Sequence, residues 1–157
     1  MKKKFALCTA VLMLMSVSAL PVSAADDTRT AVISTTVEPT YVVTIPADLK
    51  IPFNQEKTNF GEVKLDSAQI EVDKCVKVTV ISDNTLKNKA DKSKTIPYQI
   101  YEGKADSAET VFTTASYLTA GEKTALTIGI EKSDWNKAYA GEYEDTVTFQ
   151  IEYTDNQ

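Results

Sequence analysis

The sequence predicts an all-β protein, an antiparallel two-sheet β-sandwich of about eight strands. The clearest indication is the segment 140–153, AGEYEDTVTFQIEY, in which apolar and polar side chains alternate almost without interruption. A period of two is typical of a strand that packs on a core with one face and meets water with the other. Similar short runs recur along the chain between turn residues, and no segment has the period of a long helix.

The predicted strands are the runs in which apolar and polar residues alternate, and turn residues mark where each run ends. Residues 49–53 contain Pro52, which places them at a sheet edge or in a connection. Residues 82–94 are rich in Asp, Asn, Lys and Ser, and they predict a solvated loop whose lysines are surface charges. We predict strands in the runs 31–37, 41–45, 60–65, 75–81, 96–101, 124–130 and 143–153, and the apolar pairs 111–112 and 117–118 flank a stretch of small residues.

The apolar members of these alternating runs are the predicted core. A slip of one residue in register would turn all the core residues of a strand toward solvent, so the pattern fixes which face is buried. The core residues predicted in this way are Val78, Val80, Tyr98, Ile100, Leu126, Ile128, Val147, Phe149 and Ile151.

The first 24 residues predict a secretory signal peptide. Three lysines at positions 2–4 precede an apolar run over residues 5–20, and Val22-Ser23-Ala24 supplies the small residues that signal peptidase requires. We expect cleavage after Ala24, with Ala25 as the neighbouring alternative. An uncleaved anchor is the other interpretation, although the apolar run is short for a membrane span. The predicted organisation is a signal peptide at 1–24, an N-terminal strand segment at 25–40 and a sandwich domain at 41–157.

Charge and cysteine content narrow the class of protein further. Three of the 17 basic residues lie in the signal peptide, so the mature chain has 14 basic and 22 acidic side chains and a net charge of −8. A chain this acidic is a poor partner for nucleic acid, or for a membrane surface after signal cleavage. Cys75 is the only cysteine outside the signal peptide, and we expect an inert, semi-buried thiol; pairing with another chain is the alternative.

The start of the last strand predicts a structural corner. Gly141 allows a sharp change of direction, and Tyr143 follows two residues later, as in the tyrosine corner of immunoglobulin-like sandwiches. In that corner the phenol hydroxyl bonds to upstream backbone. Asp145 is the one polar residue that interrupts the apolar positions of the strand, and we group it with Gly141 and Tyr143.

Four segments of the chain, in this order, resemble segments of proteins in the spore coat protein U family. They are Asn59-Phe60-Gly61-Glu62-Val63, Val76-Lys77-Val78-Thr79-Val80, Pro97-Tyr98-Gln99-Ile100-Tyr101 and the run from Leu126 to Tyr153. That family comprises secreted immunoglobulin-like subunits similar to the pilins of archaic chaperone–usher systems. The resemblance covers residues 59–154 and lacks the family's cysteine pair. It implies an immunoglobulin-like fold and a surface subunit that self-associates or binds protein partners.

The residues exclude several kinds of chemistry. The chain has no histidine, which removes Ser-His-Asp and Cys-His catalysis and the commonest zinc ligand, and it has no phosphate-binding glycine loop. We therefore predict no catalytic, cofactor-binding or metal-binding residues. Carbohydrate or ligand binding is the alternative function, through an aromatic platform made by Tyr101, Tyr117, Trp135 and Tyr139.

The leading hypothesis is a secreted, non-enzymatic surface subunit of structural or adhesive type. In chaperone–usher fibres an N-terminal extension completes the sheet of the next subunit by strand addition. Residues 31, 33, 35 and 37 form one face of such a strand here. We expect the segment to fold back and complete its own sheet, because the mature chain is long enough to supply every strand; donation to a neighbouring subunit is the alternative.

Overall fold

The computed structural model describes residues 29–156. The predicted signal peptide and its cleavage site lie outside the described residues. The chain divides into two compact units, Met1–Thr35 and Thr36–Gln157. The described part of the first unit, residues 29–35, contains no strand or helix, and Val32 and Ile33 are 93% and 98% exposed.

The strand predicted for residues 31–37 is not formed in the described chain, where the first strand begins at Thr40. A β-branched run becomes a strand only when a neighbour supplies ladder hydrogen bonds, and a sequence pattern cannot supply that neighbour. The assignment of residues 25–40 as a segment that pairs as a strand, in its own sheet or in that of a neighbour, stays a prediction.

The second unit is an all-β sandwich of antiparallel strands, as the sequence predicts, with one short helix, α1, at Lys132–Trp135. The described residues form eleven strands: β1 (Thr40–Thr44), β2 (Lys57–Gln69), β3 (Lys74–Ile81), β4 (Thr85–Asn88), β5 (Thr95–Pro97), β6 (Gln99–Glu102), β7 (Thr110–Val111), β8 (Thr114–Tyr117), β9 (Lys123–Gly129), β10 (Tyr143–Glu144) and β11 (Thr148–Asp155).

The strands pair into three antiparallel sheets. The largest has the order β1-β2-β9-β6-β7, a second has the order β11-β3-β8, and a third has the order β10-β4-β5. The longest pairings are β2 with β9 and β11 with β3. Leu126, Leu65 and Val78, from three of these four strands, are almost completely buried.

Two predicted strands are each broken into two, and the predicted loop at 82–94 contains β4. The run 96–101 divides at Tyr98, whose N–H donates to the carbonyl of Asn84 at 2.9 Å, so that β5 and β6 join different sheets. The final run divides between β10 and β11, where the carboxylate of Asp145 accepts a hydrogen bond from the hydroxyl of Tyr98. Both breaks result from contacts between residues far apart in sequence. The local alternation of apolar and polar residues gives no information about such contacts.

Most of the predicted core is buried. Val78, Tyr98, Ile100, Leu126 and Ile128 are between 0% and 7% exposed. Three other predicted residues, Val80, Val147 and Phe149, are half-buried and pack against the same cluster.

Ile151 is the exception, because it is 37% exposed. Its strand, β11, is the end strand of its sheet, so one flank of each side chain has no neighbouring strand. The core also contains buried residues that the prediction did not include: Val63, Leu65, Cys75, Val76, Ile96, Ala108, Phe112, Tyr117, Ile130 and Trp135.

Candidate functional site

Two sheet edges lie side by side without a partner strand among the described residues. β1 ends the five-stranded sheet and β11 ends the sheet that contains β3. They meet at one point, where the rings of Tyr41 and Tyr153 stack with centroids 6.0 Å apart. An unpaired edge presents free N–H and C=O groups and is a template for strand addition.

Beyond the tyrosine contact, a groove of about 1210 Å³ opens between two stretches of chain. One side is residues 45–53, which we call the proline wall because it contains Pro46 and Pro52. The other side is residues 139–147, which we call the corner wall because it contains the predicted corner. Core side chains line the groove between the walls: Phe60, Leu86, Ile96, Tyr98, Ile128, Trp135 and Phe149.

The proline wall has the pattern of a strand but forms no ladder. Leu49 and Ile51 are half-buried against the core, and Lys50 between them is exposed. Residues 47–51 make no backbone hydrogen bond to the backbone of any described residue, and the same holds for residues 145–147 opposite. Backbone groups beside an apolar surface are normally paired, so an extended segment in this groove would find partners on both sides.

Gly141 and Tyr143 give the corner wall its shape. Gly141 has a φ of +148°, and a Cβ on it would lie 2.4 Å from the side-chain nitrogen of Asn88, so no larger residue fits. The Tyr143 hydroxyl donates to the carbonyl of Tyr139 at 3.0 Å and accepts from the Tyr139 N–H at 3.1 Å. This is the bond to upstream backbone that a tyrosine corner uses. Its contribution to stability stays a prediction.

Asp145 turns toward the groove floor and joins a polar cluster. One of its carboxylate oxygens accepts from the Tyr98 hydroxyl at 2.6 Å and from the Ser82 hydroxyl at 3.0 Å. Burial, reinforced by the Asp145 carboxylate, raises the pKa of Tyr98 well above its usual value of 10.0. The Tyr98 hydroxyl is therefore protonated at neutral pH and donates to the carboxylate.

The lysines of the 82–94 segment have specific partners. Lys89 lies 3.4 Å from Glu142 and 3.2 Å from Glu144, and Lys92 lies 3.3 Å from Glu144. We call these four residues the lysine clamp. Hydrogen bonds from Lys89 and then Lys92 hold the pKa of the Glu144 carboxyl below its usual value of 4.5. These lysines are surface charges, as predicted, and they also connect β4 and its loop to the corner wall.

The four aromatic residues of the predicted platform lie in different environments. Tyr117 and Trp135 are buried, at 3% and 8% exposure, and both have internal hydrogen bonds. Tyr101 is half-buried over Gly129, where an added Cβ would be 2.5 Å from its ring. Tyr139 is 63% exposed, with the Lys94 ammonium 4.7 Å from its ring centroid. A shared exposed face would need all four rings at the surface, so a ligand-contact role stays a prediction for Tyr101 and Tyr139.

Cys75 is 2% exposed, which is more burial than the semi-buried position expected from the sequence. Its sulfur lies 3.7 Å from the carbonyl oxygen of Asp155. It has no disulfide partner within the described chain.

Sequence reasoning placed residues 49–53 at an edge or in a connection, but it did not identify them as one side of a groove, and it missed the partners of Asp145. The alternation of Leu49, Lys50 and Ile51 was present as a signal, but the flanking prolines argue against a paired strand. Ser82 and Tyr98 carry no pattern that links them to Asp145, because they are 63 and 47 residues away.

The described residues contain no cluster of three or more side chains suited to a metal ion. None of their helices is long and apolar enough to cross a membrane.

No protein-family model matches the chain, and no characterised protein matches it significantly. Among solved structures, the chain is similar to one from a chaperone–tip adhesin complex described as vital for synergistic activation of CFA/I fimbriae biogenesis. The two chains are 12% identical and superpose with a TM-score of 0.46. The alignment covers 74% of this chain and 42% of the other, so this chain spans less than half of that chain's length.

Proposed function

We propose that the protein is a secreted, non-enzymatic surface subunit, structural or adhesive in role, that joins protein partners by accepting an extended strand into the groove. The observation that carries the proposal is the groove itself. Apolar core residues line it between two stretches of backbone that have no ladder partner among the described residues. Strand addition would pair that backbone and cover that apolar surface in one step.

The occupant that we propose is the segment 30–37 of a second copy. Its apolar positions alternate, with Ala31, Ile33 and Val37 on one face, which matches a groove that is apolar on its floor and open to water above. In the described chain the segment forms no strand, and Ile33 is 98% exposed. Burying one such isoleucine contributes roughly 1.5–3 kcal/mol, and backbone hydrogen bonds to the groove walls would add to this.

The resemblance to spore coat protein U sequences supports the same kind of subunit. The carbohydrate-binding alternative has less support, because Tyr117 and Trp135 are buried and do not offer their rings to a sugar. Completion of the sheet by the chain's own segment remains the competing arrangement, and the following experiment separates it from donation.

The test uses the mature chain and two matched variants of the segment, Ile33→Asp and Ser34→Asp. Both add one negative charge at neighbouring positions, but only Ile33 lies on the apolar face. Donation between copies predicts a ladder of oligomers on a native gel for the wild type and for Ser34→Asp, and monomer for Ile33→Asp. The Ile33→Asp monomer should melt below the wild-type oligomer, because its groove is not filled.

A deletion of residues 26–38 tests the competing arrangement, in which the segment completes the sheet of its own chain. If the segment completes its own sheet, the deletion lowers the melting temperature of the monomer outright. A wild-type chain that stays monomeric at high concentration, and whose stability falls with the deletion, would contradict donation between copies.

A further inference from the structure

The proline wall is held to the domain by apolar packing. Pro46 lies against Gly61, where an added Cβ would be 3.3 Å from the Pro46 side chain. Phe53 meets the ring of Trp135 edge to face, with centroids 5.5 Å apart. Leu49 and Ile51 pack on the core below. Salt in the solvent does not weaken contacts of this kind.

The corner wall is held to β4 in a different way. The ladder between β10 and β4 joins only two residue pairs, and one further backbone bond runs from the Lys89 N–H to the Glu142 carbonyl at 2.8 Å. The lysine clamp surrounds these bonds, and its four side chains are between 50% and 82% exposed. Tyr143 and Val147 add apolar packing, but each is only half-buried.

We propose that the corner wall is the side of the groove that opens to admit a strand, and that the lysine clamp controls how readily it opens. The inference rests on the proposed strand-accepting function. Residues 47–51 of the proline wall have no backbone bond to the described chain and are held by apolar packing. The corner wall is held by few backbone bonds, by the hydrogen bonds of Asp145 and by solvent-exposed ion pairs, so it is the wall whose attachment depends on exposed charges. Because the Debye length falls to about 3 Å at 1 M salt, such pairs weaken as salt rises.

Hydrogen exchange on the mature chain tests the clamp without any ligand. The reporter is the Lys89 amide, which bonds across to the corner wall. The control is the Ile130 amide, which bonds to the Glu56 carbonyl at 2.9 Å, close to the proline wall. We expect 1 M NaCl to speed exchange of the Lys89 amide roughly fivefold relative to the Ile130 amide. The effect is modest because each exposed ion pair contributes little to the stability of the contact.

A double variant, Lys89→Met with Lys92→Met, should give the same faster exchange already at low salt and should lose the salt response. Lys104→Met is the matched control, because Lys104 is an exposed lysine outside the groove. Equal exchange of the residue-89 amide, relative to the Ile130 amide, in the double variant, the control and the wild type would overturn the inference.

Peptide release then connects the clamp to the groove. The probe is a synthetic peptide of residues 30–37, TAVISTTV, with blocked ends, which carries no charge and so has no salt-dependent attraction of its own. The acceptor is the mature Ile33→Asp chain, whose own segment is disabled. We expect release from the Lys89→Met, Lys92→Met version of this acceptor to be roughly fivefold faster than from the Lys104→Met version.

The outcomes separate the two proposals. Equal release rates from the two versions would overturn control by the clamp and leave strand acceptance in place. No binding of the peptide to any version would contradict strand acceptance, and the exchange experiment would still report whether the clamp holds the corner wall.

Discussion

The Tyr143 hydroxyl closes a loop of five residues by bonding to both backbone groups of Tyr139. Tyr143→Phe should lower the free energy of unfolding by about 1 kcal/mol, the net contribution of a typical hydrogen bond, measured by urea denaturation. Tyr139→Phe is the control, because the Tyr139 ring is largely exposed and its side chain is not part of the loop closure. Equal stability of the two variants would contradict the corner role.

The Tyr98 hydroxyl is a second residue whose removal has a defined consequence. Tyr98→Phe removes a donor to the half-buried Asp145 carboxylate, which should cost about 1–3 kcal/mol at pH 7. The raised pKa of Tyr98 means that its contribution is present below the unfolded-state pKa of 10.0 and is lost as pH rises through the folded-state pKa. The stability difference between wild type and variant should therefore shrink above pH 10, and a constant difference up to pH 11.5 would contradict this assignment.

At the scale of the element, β11 joins the sandwich core to an unpaired edge. Phe149 is half-buried and its ring lies 6.1 Å from that of Phe60, whereas Ile151 is 37% exposed. Phe149→Ala should cost about 3 kcal/mol, the lower end of the range for buried Phe, and Ile151→Ala roughly 1 kcal/mol. Chemical denaturation of both variants gives the comparison. If Ile151→Ala lost as much stability as Phe149→Ala, or more, the open edge would have to be covered near Ile151.

The strand β11 also shows where the alternation of apolar and polar residues predicts structure correctly and where it does not. Residues 147, 149, 151 and 153 share one face, as the sequence predicts, and all but Ile151 pack against the core. The strand does not continue back through Asp145, because that carboxylate bonds to Tyr98 and Ser82 instead of following the ladder. The break separates β10 from β11 and makes the corner wall a distinct piece of chain.

At the scale of the whole molecule, an incomplete sandwich should gain stability when its groove is filled. The blocked peptide of residues 30–37, present at 100 times its dissociation constant, should stabilise the Ile33→Asp chain by about 2.7 kcal/mol. Calorimetry with and without peptide measures this as a rise in melting temperature. A peptide with Ile33 replaced by Asp is the control. A rise of equal size with the control peptide would mean that the gain does not come from the apolar face.

The sequence by itself determined the fold class, the approximate positions of the strands that form the two longest pairings and most of the core residues predicted in the chain, because a period of two records which side of a strand is apolar. It also predicted secretion, from residues that lie outside the described part of the chain.

Only the tertiary structure decided which edges lack a partner, where Tyr98 and Asp145 break their strands, and which aromatic rings are buried. It also decided that β4 forms within a lysine-rich segment. The physical reason is that a ladder bond or a packed contact joins residues tens of positions apart. A local pattern indicates what each side chain prefers, but the neighbour that satisfies this preference is found only when the chain is folded.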